Sequence, residues 1–165
     1  MDSKEQQFTK AYKDHADALF RYCYLRVSDR ELAKDLLQNV CFRAWQYIKK
    51  GGVVNNMKAF LFTTARNLVI DEYRKKKTVS LDALSDEGFD VRSDLHDNVA
   101  DRIDGARAIA FLSAIPKMYR DAIYMQYVEG LSLKEIAEIT GESENNISVR
   151  IHRGLQKLRE VMRQT

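Results

Sequence analysis

Leu131–Met162 reads LSLKEIAEITGESENNISVRIHRGLQKLREVM. Ser132 is placed to cap a short helix, LKEIAEIT, which Gly141 stops, and Ser143 is placed to cap the longer helix that follows. Two helices, the first short, joined by a tight turn that contains glycine, are the outline of a helix-turn-helix. At 100° per residue the last helix turns Ile147, Ile151, Leu155 and Leu158 to one side. Asn145, Val149, His152, Arg153 and Gln156 point away, with Asn146, Arg150 and Lys157 on the flank. In a helix-turn-helix the front of the second helix enters the major groove. There Asn and Gln pair with adenine, Arg pairs with guanine, and Val meets a thymine methyl. A plain solvated helix face carries the same residue types, so composition alone leaves both readings open.

Upstream, Pro116 is placed as the first residue of a helix, PKMYRDAIYMQYVEG, that ends at Gly130. In the N-terminal half, Leu32, Leu36, Leu37, Val40, Cys41, Ala44 and Ile48 keep to one side of a helix over 31–48. Asp35, Gln38, Asn39 and Phe42 lie on the opposite side, a solvated face by default and an interface by its exposed aromatic. Gly51-Gly52 break the chain, and Asn55 or Asn56 caps the next helix, MKAFLFTTARNLVIDEYRKKK. Leu61, Ala65, Leu68 and Val69 form its buried stripe; Thr63, Asn67, Ile70 and Arg74 share another face, flanked by Phe60, Arg66 and Lys77. Cations for phosphate, amides for base edges and rings for stacking are what an opened nucleic acid strand requires. The run Arg74-Lys75-Lys76-Lys77 extends the positive field, and equally complements a helix C-terminus.

Charge is segregated along the 165 residues although the net value is only +3. Residues 1–77 carry 16 Lys/Arg against 9 Asp/Glu, residues 78–104 carry 2 against 8, and residues 105–165 carry 9 against 7. The acidic middle block, in which Ser, Gly and Asp interrupt any apolar period, reads as a flexible linker. The expected fold class is all-α: two small helical domains, residues 1–77 and 98–165, joined by an acidic linker at 78–97. A single bundle with a long acidic loop is the alternative, disfavoured because structureless loops beyond about 15 residues are uncommon in compact domains. Seven glycines and one proline leave little turn chemistry for an all-β fold. No uncharged run approaches the roughly 18 residues of a membrane span, and the N-terminus lacks the apolar stretch of a signal peptide, so a cytoplasmic protein without membrane insertion is expected. Cys23 and Cys41 have neither partner histidines nor C-x-x-C spacing, so buried reduced thiols are expected and no metal site.

At this point both halves resemble one family, the extracytoplasmic-function (ECF, group 4) sigma factors of bacterial RNA polymerase. ELAKDLLQNVCFRAW is similar to the segment that binds the polymerase clamp helices, and FLFTTARNLVIDEYRKKK to the one that recognises and melts the minus-10 element. LSLKEIAEITGESENNISVRIHRGLQKLREVM is similar to the helix-turn-helix that reads the minus-35 element. The resemblance implies a sigma region 2 bundle followed by a sigma region 4 helix-turn-helix. It implies core RNA polymerase as partner, met through its β′ clamp helices and β flap, together with promoter DNA and an anti-sigma factor able to hold the chain at the membrane. No enzyme activity, cofactor, metal or small-molecule substrate is implied.

Carried over by position, Asp35, Gln38, Asn39 and Phe42 would meet the clamp, and Asn67 would capture a flipped non-template base beside Thr63, Arg66 and Arg74. Asn145, Asn146, Ser148, Val149, His152 and Arg153 would face minus-35 DNA, with Arg150 as a phosphate clamp. Four positions depart from the family pattern: Asn39 replaces an acidic residue, Cys41 a phenylalanine, Ser148 a Lys or Arg, and Asn145-Asn146 a Gly-Thr pair. A linker over 78–97 reaches at most ~70 Å at about 3.4 Å per residue. Promoter elements ~20 base pairs apart are separated by a similar distance. In the family this linker enters the active-site cleft, where its acidic residues would imitate a nucleic acid backbone. A helix-turn-helix regulator that is not a polymerase subunit is the rival reading, and would bind duplex DNA alone, usually as a symmetric dimer.

Overall fold

The computed structural model describes residues 3–79, 107 and 109–164, and every regular element among them is a helix. The chain divides into two compact units. The first contains α1 (Ser3–Val27), α2 (Arg30–Lys49) and α3 (Met57–Val79), each packed on both others. The second contains α4 (Lys117–Ile123), the part of α5 (Leu133–Thr140) up to Ala137, and α6 (Glu144–Arg163). Of the expected linker, Thr78 and Val79 belong to the end of α3; residues 80–97, and 98–106 beyond them, lie outside the described residues. No described helix is long and apolar enough to cross a membrane.

In the first unit the apolar spacing becomes a three-way core of Leu19, Tyr22 and Cys23 from α1, Leu36, Val40 and Ala44 from α2, and Leu61, Phe62, Ala65 and Val69 from α3. Tyr22 and Phe62 meet edge to face, ring centroids 5.6 Å apart, a preferred aromatic arrangement. At the α1–α2 corner Ser28 takes a left-handed backbone, φ 55°, and Asp29 then caps α2 by accepting a hydrogen bond from the Leu32 N–H at 3.1 Å. Of the two candidate caps for α3, Asn56 is the one used: its Oδ1 accepts from the Ala59 N–H at 3.0 Å. Arg26 is buried, its guanidinium carbon 3.5 Å above the Tyr22 ring and its carbonyl accepting a 2.7 Å hydrogen bond from the Tyr73 hydroxyl. That bond ties the far end of α3 to the end of α1.

In the second unit Pro116 sits one position earlier than expected, as the extended residue before α4 (φ −56°, ψ 145°) rather than inside it, with its carbonyl accepting from the Tyr119 and Arg120 N–H groups. The expected single helix over this segment widens at Tyr124–Val128 into a π-helical turn, marked by the Glu129 N–H donating to the Tyr124 carbonyl at 2.9 Å. Gly130 (φ 69°) closes it. Ile123, Tyr124, Met125, Leu131, Ile136, Ile147 and Ile151 make the core of this unit.

Gly154 belongs to that core as well, for a reason the helical wheel does not carry. A Cβ on it would lie 2.8 Å from Ile123 Cδ1 and 3.0 Å from Tyr119 Cβ, so the bare backbone of α6 is what lets α4 approach. Replacing glycine by alanine inside a helix ordinarily gains about 1 kcal/mol, and by valine somewhat less. Here the sign reverses: Gly154→Val is expected to cost about 1–3 kcal/mol through overpacking, read as a lower thermal midpoint of the full chain.

Candidate nucleic-acid interface

The turn between α5 and α6 is built by three local devices. Ser132 and Glu135 form a reciprocal capping box, the Ser132 hydroxyl accepting from the Glu135 N–H and the Glu135 carboxylate from the Ser132 N–H, each at 3.1 Å. Gly141 ends α5 in the left-handed conformation, φ 74°, its N–H donating to the Ala137 carbonyl. Ser143 caps α6 by accepting from the Asn146 N–H at 3.1 Å. The outcome is a helix-turn-helix whose second helix seats Ile147, Ile151 and Gly154 inward and leaves Asn145, Asn146, Ser148, Val149, His152 and Arg153 exposed. All six lie in the first half of α6, the part of a recognition helix that meets base edges. Leu155 and Leu158, expected in the core, are half-buried.

Arg150, expected as a phosphate clamp, is half-buried and pairs with Glu142. Its guanidinium forks onto the Glu142 carboxylate, Nη2 donating to Oε1 at 2.8 Å and Nη1 lying 2.6 Å from Oε2. Lys157 is also placed by a neighbour, its ammonium 5.6 Å from the centre of the Tyr119 ring.

In the first unit Asp35, Gln38, Asn39 and Phe42 all lie exposed on the outer side of α2, away from the Leu36–Val40–Ala44 stripe; Phe42 is 59% exposed. Cys41 sits on the flank of this face and is half-buried rather than buried, unlike Cys23. Burial pushes its thiol up, and Tyr12 is likewise raised, first by burial and then by the neighbouring Cys41.

Along α3, Thr63, Asn67 and Arg74 fall on one line, with Arg66 half-buried beside them and Asn67 and Arg74 exposed. The Thr63 hydroxyl donates to the Ala59 carbonyl at 2.7 Å, which orients its lone pairs outward as acceptors. Arg74 through Lys77 are exposed. Two links across the α2–α3 seam bracket Asn67: the Tyr47 and Phe60 rings at 5.1 Å, and Arg43 to Asp71 at 4.0 Å. Tyr47 is 47% exposed and covers Gly52 so closely that a Cβ there would stand 2.3 Å from the ring. Neither link was legible along one helix, and Gly51-Gly52 were read only as a break in the chain.

Two capped helical modules of this kind have known counterparts. Residues 11–79 match Sigma-70 region 2, and residues 106–158 match Sigma-70, region 4. The modules are therefore those of the sigma-70 class. The chain is 33% identical over 152 residues to the ECF RNA polymerase sigma factor SigL of Mycobacterium tuberculosis, covering 90% of this chain and 84% of that protein. It is 29% identical over 162 residues to the ECF RNA polymerase sigma factor SigW of Bacillus subtilis, covering 90% and 85%. Among solved structures, the sigma factor RpoE in complex with the anti-sigma factor NepR from Bartonella quintana shares the fold with a TM-score of 0.74 at 24% identity, over 96% of this chain and 98% of that one. CnrH in complex with the cytosolic domain of CnrY does so with a TM-score of 0.70 at 21% identity, over 97% and 90%. The chain belongs to the ECF RNA polymerase sigma factor family.

The raised thiol yields a direct test beside the polar face of α2. With Cys23 buried, labelling of the folded chain by a soluble disulfide reagent is expected at Cys41 alone, and its rate should still be climbing above pH 9.0, because burial raises the pKa above that value. A rate that levels off near pH 7 contradicts the assignment.

Proposed function

We propose that this chain is a group 4 sigma factor that carries core RNA polymerase to promoters and opens them by capturing unpaired bases. In this reading Asp35, Gln38, Asn39 and Phe42 dock on the β′ clamp helices, with Phe42 as the apolar anchor of a polar rim. The second unit lies against the β flap and reads minus-35 DNA with Asn145, Asn146, Ser148, Val149, His152 and Arg153. Thr63, Arg66, Asn67 and Arg74 hold the non-template strand at minus 10.

Opening is driven by differential binding: a base held only when unstacked draws the duplex toward the melted state, and a stacking contact contributes ~1–3 kcal/mol per base. The phosphodiester chemistry remains with the polymerase, and the acidic linker, from residue 80 to 97, threads its cleft. An anti-sigma factor restrains the free chain, as NepR is the anti-sigma factor in complex with RpoE of Bartonella quintana.

What supports this reading most is that one chain of the ECF family carries two exposed, hydrogen-bonding helix faces, on α3 and on α6, each backed by its own buried stripe. A helix-turn-helix regulator would account for α6 and leave the faces of α2 and α3 without a use.

Transcription in vitro with purified core polymerase on a promoter library tests the whole reading, which predicts RNA starting at defined sites only when the chain is added. On a promoter found in this way, Asn67→Ala should impair opening with little loss of core affinity, while Phe42→Ala should weaken core affinity. Arg153→Ala should weaken minus-35 contact by ~1–3 kcal/mol if it reads a base. Equal losses of core affinity in Asn67→Ala and Arg153→Ala would overturn both DNA assignments.

A further inference from the structure

Two side chains one turn apart on α2, Arg43 and Tyr47, cross the seam to α3, and neither belongs to a face assigned so far. Tyr47 meets Phe60 with ring centroids 5.1 Å apart, and Arg43 Nη1 lies 4.0 Å from Asp71 Oδ2. Along α3, Asn67 falls between these two contacts. At 100° per residue Asn67, Asp71 and Arg74 lie within about 60° of arc, so Asp71 stands in the middle of the line that presents Asn67 and Arg74. A carboxylate is out of place there. A strand whose phosphates run from Asn67 toward the cations of Arg74 to Lys77 has to pass it, and like charges repel.

Arg43 removes that obstacle. It is the one partner of the Asp71 carboxylate among the described residues, so the pair as a whole is neutral. The contact is also loose: 4.0 Å is longer than a hydrogen bond, and the two side chains stay 57% and 47% exposed. Exposed pairs of this kind hold weakly, so turning Arg43 part of the way toward a phosphate costs little. With one nitrogen near Asp71, the other donors of the guanidinium remain for a second anion. Lys75–Glu72 offers no such reach, because it joins neighbours three residues apart on α3 itself. Arg43 brings its charge in from another helix, and although it follows Phe42 on α2, its contact with Asp71 turns it to the α3 side.

We propose that Arg43 is a further contact for the unpaired strand: it cancels the charge of Asp71 and places its remaining donors on a phosphate passing between Asn67 and Arg74. The inference rests on the reading of α3 as the strand-holding face. It adds a cation from α2, so that two helices grip the strand.

The test uses the full chain, free and bound to core polymerase, with a fluorescent single strand of about 20 mixed bases followed by anisotropy across a salt series. Arg43→Ala should flatten the plot of log affinity against log salt by about 0.7, the share of one phosphate on a single strand, which is about a fivefold loss near 0.1 M salt. Arg43→Lys should restore the slope, because the charge returns. Asp71→Asn should raise affinity more in the Arg43→Ala background than in the parent, since only there is the carboxylate bare. Core affinity, measured separately, should not follow any of these changes.

An unchanged slope in Arg43→Ala overturns the proposal, and two further readouts say what Arg43 does instead. A fall in core affinity would put it on the clamp face with Phe42, whereas a lower thermal midpoint matched by Asp71→Asn would make it a brace of the seam. A gain on Asp71→Asn that is the same with and without Arg43 would overturn the charge cancellation. A parent chain that holds no single strand, free or with core polymerase, would overturn the strand reading of α3 and Arg43 with it; a parent that binds, with its slope unmoved by Arg43→Ala, would strike Arg43 alone.

Discussion

Gly141 holds its backbone at φ 74°, a conformation that strains any residue with a side chain, and the exposed polar face of α6 depends on it. The left-handed residue ends α5, and Ser143 restarts the helix two residues later, so the turn sets both the direction of α6 and its rotation about its own axis. Rotation is what matters for recognition. In the observed phase Ile147, Ile151 and Gly154 point inward while Asn145, Val149, His152 and Arg153 point out. Advancing the phase by one residue, 100°, would turn Ser148 and His152 toward the core and Ile147 toward water. No set of side chains on α6 could carry a base code without a turn that fixes which of them are seen.

The first unit solves the same problem with packing between helices. Helix α3 has to bury Leu61, Phe62, Ala65 and Val69 and still present Thr63, Asn67 and Arg74, so both duties share one cylinder and its rotation cannot drift. The aromatic edge-to-face contact of Tyr22 with Phe62 holds the first half, and the Tyr73 hydroxyl on the Arg26 carbonyl holds the second. A hydrogen bond of that kind contributes about 1 kcal/mol, against roughly 0–1 for the more exposed Arg43–Asp71 pair. The hydroxyl is therefore the stronger anchor for the turn from which Arg74 to Lys77 emerge.

Periodicity and capping chemistry made most of this architecture legible, because both are properties of one helix at a time. The stripes of α2, α3 and α6, the caps at Ser132 and Ser143 and the stop at Gly141 needed only spacing and residue type. What the wheel could not carry depends on how two segments meet. Gly154 is buried because α4 crosses there, and Tyr47 reaches Phe60 because Gly52 leaves it room. Glu142 reaches Arg150 because the turn folds back across eight residues. Nor did a wheel reveal the π-helical turn at Tyr124–Val128, since apolar residues there satisfy a helical period whether or not the backbone widens. The candidate contact residues were mostly placed where expected, on exposed faces; the exceptions are the charged or polar ones that found a partner inside the fold.

Those exceptions bear on how affinity is divided between the units. Sequence-independent attraction to nucleic acid scales with the phosphates a surface neutralises. The first half of α6 carries two cations, Arg150 and Arg153, of which Arg150 pairs with Glu142. Arg153, with the amides and the hydroxyl around it, is a surface rich in reading groups and poor in general attraction. The end of α3 is the reverse, four exposed cations in a row with no cap to select a base. A reading surface with little electrostatic hold binds appreciably only when something else keeps it near its site, and tethering supplies that as effective concentration without any new contact. Under the promoter reading, discrimination among duplexes is then least diluted by non-specific binding at α6.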